Sequence, residues 1–147
     1  MKTDVLKKVI IVANGIILLA SVVLEALPFG VKMNICYCGS PTPYHWLPYF
    51  SPIPYSWGTF FPLIIAVLSS ISLVIYAINF LVKKNGMTYA ILTLQGIIIG
   101  FSIYHLCTAQ ITAISVILPV LSIIYIVFNI IHLVFLKKNA KTSSQLV

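Results

Sequence analysis

The stretch FFPLIIAVLSSISLVIYAINFLVKKNGMTYAILTLQGIIIGFSIYHL, residues 60–106, holds two long apolar runs separated by Lys83-Lys84-Asn85-Gly86. Each run has the roughly 20 residues that a helix needs to cross about 30 Å of hydrocarbon. Two cations beside the last carbonyls of the first run, then two residues that accept a left-handed turn, end one helix and lead directly into the next. So short a link makes the two helices antiparallel neighbours.

The same pattern extends in both directions. Val9 to Leu27 and Ile111 to Leu136 are further apolar runs, and the link from Cys107 to Gln110 is again short. The spans are therefore expected at about 7–27, 59–82, 87–106 and 111–136, with a long loop at 28–58 and a tail at 137–147. With 61% hydrophobic and 7% charged residues, the 147-residue chain has no room for a soluble domain, so residues 1–147 read as one membrane domain. The expected fold class is all-α integral membrane: a four-transmembrane-helix antiparallel bundle with an aromatic, Pro-rich extracellular cap between helices 1 and 2.

Charge sets the orientation. Lys2, Lys7 and Lys8 precede the first run, Lys83 and Lys84 divide the second from the third, and Lys137, Lys138 and Lys141 follow the fourth. Only Lys32 falls on the other side. The positive-inside bias then puts both termini in the cytoplasm and the 28–58 loop outside a plasma membrane. The net charge of +7 does not suggest nucleic acid, because there is no arginine and the lysines stand at helix ends. The partner implied is the lipid bilayer. Leu24-Glu25-Ala26 is no small-x-small cleavage site, so the first helix is expected to persist.

More than half of the chain's aromatic residues lie between positions 29 and 61, among six prolines in the 28–56 segment. Such a segment is too apolar for a solvated coil, and it is expected to order itself across the bundle mouth. Tyr44, His45, Trp46, Tyr49, Phe50, Tyr55 and Trp57 form its candidate ligand or partner surface. Thr59 is the expected N-cap of the second helix, with Pro62 in the first turn.

Within the spans, Asn14, Asn79, Gln95 and Asn129 should point inward, since an amide facing lipid has no partner. Glu25 stands alone in the last turn of the first helix, expected to meet water or to pair with Lys32, His45 or His105. Gly96 and Gly100, with Thr93 on the same face, would let another backbone approach closely, either within the bundle or in a homodimer. Pro119 removes a hydrogen bond inside the fourth helix, where a kink is expected.

Cys36, Cys38 and Cys107 all fall on the same, outer face, so a disulfide of Cys107 with Cys36 or Cys38 is expected as a staple. The alternative is a membrane thiol-disulfide oxidoreductase of the four-helix, quinone-linked kind. Those enzymes use two cysteine pairs, one of them Cys-x-x-Cys, whereas this chain has Cys-x-Cys and an odd total. Cys36, Cys38 and His45 lack a fourth metal ligand, so neither metal nor cofactor is expected. Two acidic residues and no Ser/His/Asp set leave most hydrolytic chemistry without its base, which points to a non-enzymatic protein. A third reading is small-solute transport through Glu25 and the inward amides.

Leu27-Pro28-Phe29-Gly30-Val31, and Tyr49-Phe50-Ser51-Pro52-Ile53-Pro54-Tyr55-Ser56-Trp57-Gly58 running into Phe61 to Leu68, resemble small uncharacterised four-helix membrane proteins of Gram-positive bacteria. The resemblance spans roughly residues 27–70, and Cys36-Tyr37-Cys38 lies outside its pattern. It implies the four-helix fold and carries no activity. The expected role is accessory, sensing or immunity-type, binding a membrane-protein partner or ligand through the cap.

Overall fold

The computed structural model describes residues 2–34, 44–51, 60–82, 85–108 and 111–144. Four helices account for most of them: α1 Lys2–Ala26, α2 Phe60–Val82, α3 Asn85–Thr108 and α4 Ala113–Ser144. Each contains a segment long and apolar enough to span a membrane, at Lys8–Ala26, Phe61–Val82, Gly86–Cys107 and Ala113–Val134. The chain thus has the build of a multi-pass membrane protein. Contacts of α1 with α2, α2 with α3, α3 with α4 and α4 with α1 close the helices into a ring.

Polarity is arranged inside out. Exposed side chains such as Val12, Ile16, Val74, Ile103, Val120 and Val134 are aliphatic, whereas Asn14, Ser21, Ser72, Gln95, Ser122 and Asn129 are buried. Lipid accepts the first set and would leave the second unpaired, so this distribution suits a bilayer and not water. Ser21 and Ser72 bond the carbonyls of Ile17 and Leu68 in their own helices, at 3.0 and 2.9 Å. They act as small contact residues whose hydroxyls are already satisfied.

Two strands interrupt the all-helical expectation. β1 Val31–Asn34 and β2 Tyr44–Leu47 pair antiparallel, with Val31 opposite Leu47 and Lys32 opposite Trp46. Leu47 is half-buried and Trp46 exposed, the alternation of a strand with one covered face. Lys32 Nζ stands 5.8 Å from the centre of the Trp46 ring across the ladder.

The hairpin fills a gap left by α1. Glu25 in the last turn of α1 meets Ser69, nine residues past the start of α2 and so roughly 14 Å along that helix. Phe61 near the start of α2 packs on Tyr104 near the end of α3, with ring centres 4.7 Å apart. Helices α2 and α3 therefore rise well beyond the end of α1. Val31 and Tyr49 occupy the space above it, in one buried cluster with Ile65, Ala66, Ile98, Ile114 and Leu118. A second cluster, Leu18, Ile91 and Tyr125, forms the core nearer the termini.

Helix α4 differs from expectation at both ends. It begins at Ala113 behind a reciprocal cap, in which Ser115 N donates to Thr112 Oγ1 at 3.1 Å and Thr112 N donates to Ser115 Oγ at 2.9 Å. It runs unbroken through Pro119 and past Leu136 to Ser144, so much of the expected tail is helical.

Candidate functional site

The polar groups that their own helices do not satisfy concentrate where the hairpin meets the bundle. Glu25 is wholly buried, at 0% exposure. Its Oε1 accepts a hydrogen bond from Ser69 Oγ at 2.7 Å, while Oε2 has no hydrogen-bond partner. The Ser102 hydroxyl and His105 Nε2, both buried on α3, are also unpartnered. Buried polar atoms are nearly always paired, so these three stand out in the hairpin half, as the amide oxygens of Asn14 and Asn79 do nearer the termini.

Tyr49 is the roof of this place. Its backbone N donates to Glu25 O at 2.9 Å, which satisfies one of the carbonyls that the end of α1 leaves open. Its ring meets the His105 imidazole edge to face, with centres 6.0 Å apart. Burial, and secondarily the Glu25 carboxylate, push the Tyr49 phenol above the usual tyrosine range, so it remains an O–H group.

The hairpin is fixed on both flanks. Thr112 Oγ1 donates to Gly30 O at 2.7 Å, so one hydroxyl caps α4 and holds the loop. A Cβ added at Gly30 would lie 2.6 Å from Tyr49 Cδ2 and 3.3 Å from Leu47 O. Only glycine lets the ring lie on the backbone there. A turn closed by Ser51 N donating to Pro48 O at 3.1 Å aims Tyr49 inward.

Several expected site residues fall elsewhere. Tyr49, at 1% exposure, and half-buried Phe50 belong to the core and not to a recognition surface, because the missing length of α1 leaves an apolar hole that their rings fill. Trp46, at 49% exposure, does face outward, joined by Phe29 at 61%. Tyr44 and His45 lie on β2. Tyr55, Trp57, Thr59, Cys36 and Cys38 lie outside the described residues, and Cys107 is an exposed thiol at the end of α3.

The glycine motif is corrected. Gly96, Gly100 and Thr93 are exposed, and nothing lies within 4 Å of a Cβ built at either glycine. Packing inside the bundle is excluded because the face of α3 that turns inward carries Ile91, Gln95, Ile98 and Ser102. Close approach occurs instead at Gly15, where an added Cβ would be 3.2 Å from Tyr76 Cε1.

Among the amides, Asn14, Gln95 and Asn129 are buried as expected. Asn129 Nδ2 donates to Tyr125 O at 2.9 Å within its own helix, so it bridges nothing there. Asn79 is only half-buried, yet its Nδ2 donates across to Thr88 Oγ1 of α3 at 3.1 Å. Glu25 finds no water-facing position. Lys32, one of its expected partners, lies over the Trp46 ring.

No family model, curated protein or solved structure matches the chain. The resemblance to Gram-positive four-helix proteins rests on its own residues alone. Around Tyr49 stand the Glu25 carboxyl group with its Ser69 partner and the His105 imidazole. Sequence reasoning passed over Ser69, Ser102, Gly30 and Thr112, although Thr112-x-x-Ser115 carries a readable capping pattern.

Proposed function

We propose that this chain is a non-enzymatic plasma-membrane protein, with both termini cytoplasmic, that recognises a membrane partner or ligand through its extracellular hairpin. The role is of the accessory, sensing or immunity type. One observation carries the reading: the hairpin is pinned to the bundle by Tyr49, Gly30 and Thr112 while Trp46 and Phe29 project from it. A loop whose only task was to join two helices would need neither its anchors nor its outward aromatic rings. Rigid aromatic side chains give contact area at a low entropic cost, which is why they dominate recognition surfaces.

Photo-crosslinking residues placed at positions 46 and 29, in native membranes, test the reading. They should yield discrete adducts that the same probe at Leu81 or Ile103, both exposed on the helix exterior, does not. Identical lipid-only adducts at all four positions would remove it.

A further inference from the structure

The face of the hairpin turned away from the bundle lies at membrane depth. Val31 on the covered face packs in one cluster with Ile65 and Ala66 of α2 and with Ile114 and Leu118 of α4, all four within segments long and apolar enough to span. At a rise of ~1.5 Å per residue they stand within about 8 Å of the hairpin-side ends of those segments. Strand alternation puts Lys32 and its ladder partner Trp46 on the opposite face, so this pair points away from the bundle axis at the same depth. The exposed stripe of α1, Val12, Ile16, Leu19 and Val23, leads up to the hairpin through Leu27 and Phe29, which are exposed as well.

Acyl chains cannot surround this face. The open edges of a two-stranded ladder carry N–H and C=O groups that hydrocarbon leaves unpaired, whereas headgroups and interfacial water satisfy them. Lys32 and Trp46 suit that zone, one an aliphatic stem that lifts its charge toward the surface, the other an amphipathic ring.

Charge selects among headgroups. The 28–58 loop has one lysine, Lys32, and no acidic residue, and the nearby Glu25 is wholly buried. The hairpin therefore offers positive charge to whatever covers it. The Lys32 ammonium stands 5.8 Å from the centre of the Trp46 ring, so that ring already faces a cation and does not suit the choline of a zwitterionic lipid. A headgroup with a phosphate and no cation of its own meets Lys32 without that conflict.

We propose that the Lys32–Trp46 face of the hairpin binds the headgroup phosphate of an anionic phospholipid. This names the ligand of the outward hairpin surface, and so rests on the recognition reading given under Proposed function.

The test is quenching of Trp46 emission by brominated lipid. The full-length chain carries Trp57→Phe, which leaves Trp46 as its one indole, and is reconstituted in phosphatidylcholine vesicles. These contain equal fractions of either phosphatidylglycerol or phosphatidylcholine brominated near the headgroup end of the chains. Brominated phosphatidylglycerol should occupy the site about fivefold more readily than brominated phosphatidylcholine, the preference one lysine gives at a membrane surface. Lys32→Gln should bring that ratio to about one while quenching by both lipids persists. If Trp57→Phe does not fold, wild type and Trp46→Phe give the same quantity by difference.

A ratio of one with Lys32 present overturns the proposal, and so does a preference that survives Lys32→Gln. Absence of quenching by either lipid overturns it too, since the face would then meet water or protein. A ratio of one together with discrete protein adducts at positions 46 and 29 removes this inference and keeps the recognition reading. Identical lipid-only adducts at all four crosslinking positions remove that reading itself.

Discussion

The hairpin end and the termini end of this bundle solve the same packing problem with different materials. Near the termini, helix meets helix directly. Tyr76 reaches across to donate to Ile11 O, lies on Gly15, and meets Tyr125 edge to face at 6.5 Å. At the other end α1 stops early, and a two-stranded hairpin takes the place of the missing turns. The first region is closed by side chains whose polar tips find backbone carbonyls. The second keeps a carboxyl oxygen, a hydroxyl and an imidazole nitrogen unpaired in the half of the bundle that the hairpin covers. The termini end also has unpartnered amide oxygens, on Asn14 and Asn79, but among the described residues no acid or base there is in that condition.

Tyr49→Ala should break this contrast most severely. Emptying a core position of an aromatic ring costs on the order of 3 kcal/mol, and here the lost ring is also the hairpin's anchor. Thermal unfolding in detergent should fall markedly, and the hairpin around Trp46 should become accessible to protease while the helices persist. An unchanged melting temperature would mean that the hairpin is held by something other than its buried ring.

Tyr76→Phe probes the opposite end with a smaller change. It removes one hydroxyl and leaves the ring on Gly15, so about 1 kcal/mol should be lost. Because the ring stays, protease access at the hairpin should not alter, and a coupled loss at both ends would show that the two cores act as one.

Gly100→Val should do least. A Cβ there meets nothing within 4 Å, and valine on an exposed helical position changes stability by only about 0.5 kcal/mol or less. The useful readout is oligomeric state by crosslinking in the membrane: loss of a dimer would assign the outward glycines to contact between copies.

These residues also show why some features were legible in the sequence and others were not. Helix number and type followed from run length, because the hydrocarbon thickness imposes a length on any spanning helix. Inward placement of Asn14, Gln95 and Asn129 followed from the cost of an unpaired amide in lipid. The two glycines misled, since Gly-x-x-x-Gly states that a backbone can be approached and not which neighbour approaches it. Tyr49 misled for a related reason: an aromatic in a long loop reads as surface until the length of the helix beneath it is known.

By itself the sequence determined four apolar helices, the clustering of cations at their ends and a polar interior, because these depend on local composition meeting a bilayer. Tertiary structure alone decided that α1 falls short of α2 and α3, that β1 and β2 pair above it, and that Glu25 lies under Tyr49. Those facts depend on how far each helix slides along its neighbours. Such offsets arise from contacts distant in the chain, Glu25 with Ser69 and Gly30 with Thr112, which no window of sequence contains.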